Sequence, residues 1–164
     1  MLDLRGNPGR QLEPAQQIAG SLLSTGAFGY EIMASGKSVA LKTKPTPGGA
    51  AKSQKTVVLV DGGTADTAEL LAISLADQGA ATLVGGPTFG DAYVQKLFPL
   101  QDGSAFTLTT GKFISPNRTD WQAKGLTPRV TVAASASDAQ VLGKALDVLK
   151  NTSGQFAVAP ERAR

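Results

Sequence analysis

The sequence contains no histidine and no cysteine. That excludes thiol nucleophiles, disulfides, the usual zinc sites and every histidine-based catalytic triad. Any chemistry must come from carboxylates, hydroxyls, Lys, Tyr or backbone groups. Candidates gather in the segment 61–69, which carries Asp61, Thr64, Asp66, Thr67 and Glu69. A further carboxylate, Asp91, follows Thr88-Phe89-Gly90, with Gln95 and Lys96 just beyond it. Two carboxylates held within several ångströms of each other raise one pKa, share a proton or recruit a cation. With Asp61 nearby, a hard divalent ion is one form that pairing could take, although three aspartates without an Asn, His or Glu pattern make a thin ligand set. Asp66 also has a structural reading. Asp66-Thr67-Ala68-Glu69 matches a capping box, a helix N-cap acceptor with Glu three residues on, worth about 1 kcal/mol. A carboxylate there also suits the helix dipole. Asp91 reads structurally as a solvated turn residue.

The elements that must position these groups follow from periodicity. Residues 1–4 read as a short strand running into the breaker Gly6-Asn7-Pro8-Gly9. Residues 13–24 space Ala15, Ile18, Ala19, Leu22 and Leu23 on one helical face, with Gly26 as the expected stop. Two short strands, 30–34 and 38–42, flank a turn at Gly36. The stretch 44–55 is rich in Pro, Gly and Ser and reads as a mobile surface loop. The aliphatic run 56–60 predicts a central buried strand. A helix over 65–78 ended by Gly79, and a strand over 82–84, come next. Strands are expected at 94–98 and 105–109 around a turn at 101–103, with a third at 112–114. A helix over 137–150 places Val141, Leu142, Ala145, Leu146 and Leu149 on one side. From 151 to 164 the sequence reads as a frayed, flexible tail. Alternating strands and helices predict an α/β layered domain over 1–150, with an antiparallel portion after residue 90.

The 164 residues, 41% of them hydrophobic, suit one domain with a single core. The net charge of +3 is scattered, with no basic stripe interleaved with aromatics, so no nucleic-acid partner is expected. No segment approaches the roughly 20 consecutive apolar residues of a membrane span. The first residues lack the layout of a signal peptide, and they begin on a buried strand, so the chain reads as a piece of a longer precursor or an expressed domain.

Three motifs in order carry a resemblance. They are Leu2-Asp3-Leu4-Arg5-Gly6-Asn7-Pro8-Gly9; the segment 57–71, VVLVDGGTADTAELL; and the segment 84–100, VGGPTFGDAYVQKLFPL. With Asp102-Gly103-Ser104-Ala105 and the closing helix, they cover residues 2–150 and resemble the C-terminal processing (tail-specific) peptidases, serine proteases with a Ser-Lys dyad. The resemblance implies a crotonase- or ClpP-like layered core with a mixed sheet. It implies polypeptide C-terminal segments as partners, no cofactor, a homo-oligomer as an option, and a periplasmic or cell-envelope location. The family's PDZ domain has no counterpart in this sequence.

Carried over residue by residue, the resemblance puts Asp66 at the nucleophile position and Asp91 at the base position, where the family has Ser and Lys. Gln95 matches the Gln four residues after that Lys. The family's oxyanion hole uses backbone N–H groups, here those of Gly9 and Thr67, while Arg10 replaces the second glycine of the turn. A non-glycine residue there strains the turn if φ must be positive, or offers a cation to a peptide carboxylate. A carboxylate is a poor nucleophile toward an amide, and loss of a protease nucleophile costs about 10⁶ in kcat. Thr64, Thr67 and Lys96 are the available substitutes, but strand alternation points Lys96 away from Gln95. The leading expectation is a protease-like domain that no longer cleaves and retains a peptide groove or assembly surface. The alternatives are a hydrolase working through the Asp66/Asp91 pair with water or a metal, and an active protease into which the aspartates were introduced.

Overall fold

A computed structural model describes residues 1–23, 26–44 and 56–153. The elements run β1 (Leu2–Asp3), α1 (Leu12–Leu23), β2 (Ala27–Met33), β3 (Ser38–Lys42), β4 (Thr56–Val60), α2 (Thr67–Asp77), β5 (Ala81–Gly85), β6 (Tyr93–Pro99), β7 (Ala105–Ile114), β8 (Val130–Thr131) and α3 (Asp138–Ser153). They form two four-stranded sheets, in the orders β1-β4-β5-β8 and β3-β2-β7-β6. Every pairing in the first is parallel and every pairing in the second antiparallel. The α/β layering expected from the sequence is present, with the two kinds of pairing divided between two sheets. The antiparallel sheet also takes in β2 and β3, from before residue 90.

β4 explains why its sequence shows no alternation. Val58 and Val60 pack into the core with α1 and α2, while Val57 and Leu59 on the opposite face pack against Val141 and Ala145 of α3. A parallel strand covered on both faces reads as an unbroken apolar run. α2 lies deepest, with nine of its eleven residues buried, from Thr67 to Leu75. Its C-terminal end closes on Gly79 at φ 69°, a left-handed position suited to glycine.

Several expectations need correction. The strands expected at 105–109 and 112–114 are one ten-residue strand, β7. β8 was not expected, because two residues carry no periodicity. The expected stop at Gly26 follows residues 24 and 25, which lie outside the described residues; a Cβ at Gly26 would meet Gln78 Oε1 at 2.7 Å. On α3, Leu142 and Leu146 are exposed, and the buried seam runs through Val141 and Ala145, with Val148 and Leu149 partly buried beside it. Ile18 of α1 is exposed as well. α3 continues to Ser153, three residues past the expected boundary. The expected loop over 45–55 and the tail beyond 153 lie outside the described residues.

Candidate active site

The site forms where the parallel layer hands the chain to α2. After β4, Asp61 turns the backbone: its Oδ1 accepts hydrogen bonds from Gly6 N at 2.8 Å and Gly63 N at 2.9 Å, tying the first turn of the chain to the second. Ala65 N donates to Asn7 O, and Asn7 Oδ1 accepts from Gly9 N. Gly9, at φ 72°, lies so close to the start of α2 that a Cβ there would stand 2.6 Å from Ala65 O and 2.7 Å from Thr67 N. Only glycine fits that approach.

Asp66 stands at this junction with φ 52° and ψ −124°, and its side chain makes no cap hydrogen bond to α2. The capping-box reading is therefore wrong for Asp66. These angles are those of the first central residue of a type II′ turn, which strain a non-glycine residue. Glu69 is not a capping partner either. It is fully buried, and its carboxylate accepts hydrogen bonds from Thr88 Oγ1, from Gly90 N at 2.9 Å and from Asp91 N at 2.8 Å. Glu69 thus holds the 88–91 segment, and with it Asp91, against α2.

The outcome is a groove of about 850 Å³ whose lining includes Arg10, Asp66, Thr67, Asp91, Gln95 and Lys96. Phe89, 68% exposed, Tyr93 and Leu97 supply apolar wall. Residues far apart in sequence, 10, 66, 91 and 95, converge as expected. The Asp66 carboxyl is raised to about 6, first by burial and then by the negative charge of Asp91. The backbone N–H groups of Arg10 and Thr67 pull the other way by hydrogen-bonding it, as does the Arg10 guanidinium through space.

One placement differs from expectation. The N–H of Gly9 is committed to Asn7 Oδ1, so the backbone donors that reach position 66 belong to Arg10 and Thr67. Arg10 keeps the turn by adopting φ 84° itself, the strained alternative. Gln95 and Lys96 both border the groove, on the edge strand β6, whose register irregularity falls just before them, between Val94 and Gln95.

Of the two substitute hydroxyls, that of Thr64 is committed. Thr64 Oγ1, fully buried, donates to Leu4 O at 2.8 Å and accepts from Asp61 N. Thr67 is buried at the first turn of α2. Asp61 is committed to its turn, and among the described residues no three acidic, His or Cys side chains gather closely enough to hold a metal ion.

The family model for peptidase family S41 matches residues 1–132. The chain belongs to that family. It is 38% identical over 128 residues to the carboxyl-terminal-processing protease of Synechocystis sp., covering 78% of this chain and 29% of that one. It is 33% identical over 132 residues to the carboxy-terminal processing protease CtpA of Bacillus subtilis, covering 79% of this chain and 28% of that one. Among solved structures, the photosystem II D1 C-terminal processing protease superposes with a TM-score of 0.74 at 26% identity, covering 87% of this chain and 37% of that chain. The S41 chain described here therefore spans less than a third of either curated relative's length. No helix among its described residues is long and apolar enough to cross a membrane.

Sequence reasoning missed Glu69 as the anchor of the 88–91 segment and Glu31 as part of the groove lining. For Glu69 a signal existed: a carboxylate inside a helix that is otherwise apolar nearly all round. For Glu31, on an ordinary strand, there was none.

Proposed function

We propose that this S41 domain binds extended polypeptide segments in the groove without cleaving them. The observation that carries the reading is the placement of Asp66 and Asp91 in one groove, at a strained turn, at the two positions where the resemblance puts Ser and Lys. Amide cleavage by this family needs a hydroxyl whose proton an amine removes. At position 66 there is a carboxylate that cannot attack usefully, and no hydroxyl at that position for an amine to activate. The groove's volume falls within the range of ligand sites, and its apolar walls suit side chains of an extended peptide. The same resemblance supports a periplasmic or cell-envelope location and polypeptide C-termini as the ligands.

A second reading is favoured by one observation: the Asp66 carboxyl is raised toward neutrality beside a second carboxylate. Such a pair can share a proton and activate water. One set of measurements separates the two. The unmodified chain is incubated with unstructured substrates ending in apolar residues and with a serine-directed phosphonate. No turnover and no labelling are expected, while a fluorescent peptide still binds. The double change Asp66→Ser with Asp91→Lys should then gain cleavage and phosphonate labelling. Turnover by the unmodified chain that disappears in Asp66→Asn would overturn the binding reading in favour of the acid pair.

A further inference from the structure

Glu69 accounts for only part of what holds Asp91 in the groove. From Thr88 to Ala92 the chain belongs to no helix or strand. Even so, each backbone N–H in this stretch is bonded to a distant part of the molecule. Thr88 N donates to Leu126 O at 3.1 Å and Phe89 N to Thr64 O at 3.0 Å. Gly90 N and Asp91 N go to Glu69, and Ala92 N goes to Gln122 Oε1 at 2.6 Å. Ala92 is fully buried, so its N–H has no water to turn to if that acceptor is lost.

The loop that supplies Gln122 has little freedom of its own. Trp121 is buried in the same core as Val58 and Leu70, and its carbonyl accepts from both Lys124 N and Gly125 N at 3.0 Å. Ala123 N donates to Gly90 O at 2.8 Å. Beside that bond Gly90 and Gly125 meet backbone to backbone: a Cβ on Gly90 would stand 2.7 Å from Gly125 N. Gln122 N is held in turn by Asp120 Oδ1 at 3.1 Å, and Asp120 pairs with Lys112. Gln122 itself is not part of the groove lining. It therefore acts on the groove only through the backbone that it holds.

Asp91 is flanked by two fixed N–H groups, its own on Glu69 and the next on Gln122. Its carboxylate and that of Asp66 repel each other, so a backbone free to yield would let them part. We propose that Gln122 is a positioning residue: its side-chain carbonyl, from outside the groove, keeps Asp91 in place opposite Asp66. Glu69 fixes the segment on the N-terminal side of Asp91, and Gln122 fixes it on the C-terminal side.

The side-chain carboxyl ¹³C signal of Asp66 is titrated in the full chain and in a set of variants. Asp91→Asn sets the whole effect of the neighbouring charge. Gln122→Met keeps the length of the side chain without its oxygen, and should lower the Asp66 midpoint by roughly half or more of that effect. Gln122→Asn, one methylene short, should do the same, and serves where Gln122→Met does not fold. Gln122→Glu keeps the acceptor and should hold the midpoint at or above its original value. Ser115→Ala breaks a buried hydrogen bond at the far end of α2, where Ser115 Oγ donates to Asp77 Oδ2 at 2.6 Å. It should lower stability and leave the midpoint where it is. A midpoint that ignores Gln122→Met while stability falls would make Gln122 a structural residue only and overturn the proposal. An equal fall in Gln122→Glu or in Ser115→Ala would overturn it as well. None of these readouts uses a peptide, so they are separate from whether the groove binds or cleaves one.

Discussion

Two helices in this domain begin with the same local rule and use it differently. α3 follows Ser137-x-x-Gln140, and the box closes: Ser137 N donates to Gln140 Oε1 at 2.8 Å, and Gln140 N reaches Ser137 Oγ at 3.4 Å. α2 follows Asp66-x-x-Glu69, and nothing closes. Asp66 makes no cap hydrogen bond, and Glu69 looks across to Thr88, Gly90 and Asp91. α3 spends its capping residues on itself. α2 gives them up to build a groove, and its N-terminus is held instead by the deep burial of its own body. A capping pattern is thus a statement about what a helix end could do, and the backbone angles at the cap decide whether it does.

The largest effect should come from the third helical position of each. Glu69→Ala leaves two backbone N–H groups and the Thr88 hydroxyl without an acceptor in a buried setting, at roughly 1–3 kcal/mol for each unpaired group. A loss of about 3 kcal/mol or more is expected in urea unfolding. Gln140→Ala, at an exposed cap, should cost less than about 1 kcal/mol. Equal losses would mean that Glu69 is only a cap after all.

Next come the cap residues themselves, where the comparison predicts opposite signs. Ser137→Ala removes a working cap and should lower stability by about 1 kcal/mol. Asp66→Gly relieves a positive-φ conformation worth about 1–3 kcal/mol, less the ~0.5–1 kcal/mol of chain entropy that glycine adds. The net should be a gain of about 1 kcal/mol, read from the same unfolding curves. A loss at Asp66 would show that its side chain holds the helix start.

Much of this was legible in the sequence, for reasons that differ by element. β4 and α2 stood out because burial on several sides forces an uninterrupted apolar composition. The convergence of residues 10, 66, 91 and 95 was legible only through the resemblance to the C-terminal processing peptidases, whose motifs map these positions onto one site. What was not legible depends on angles and edges. Nothing in Asp-Thr-Ala-Glu encodes ψ −124° at its first residue, or the close approach of Gly9 to Ala65 and Thr67. Leu142 and Leu146 are exposed because only a narrow seam of α3 meets β4 and β5. Periodicity gives the apolar positions of a helix but not how wide a strip its neighbours cover.

The sharpest test of the groove is the proton on Asp66. Its carboxyl sits at about 6 in the folded chain against an ordinary 3.8, so the folded state holds this proton more tightly than the unfolded one. The stabilising contribution of that proton is complete below about 3.8 and is lost as pH rises to about 6. Stability should therefore slope downward across that window by an amount that Asp66→Asn abolishes. The causes can be separated by following the side-chain carboxyl ¹³C signal of Asp66. Asp91→Asn removes the charge next to it and should bring the midpoint down, but not to 3.8, because burial is the larger cause. A midpoint that falls all the way would make Asp91 the dominant influence and the pair a coupled dyad, which favours the water-activating reading. A midpoint that does not move would place the two carboxylates too far apart to act together, and the groove would then owe its character to burial alone.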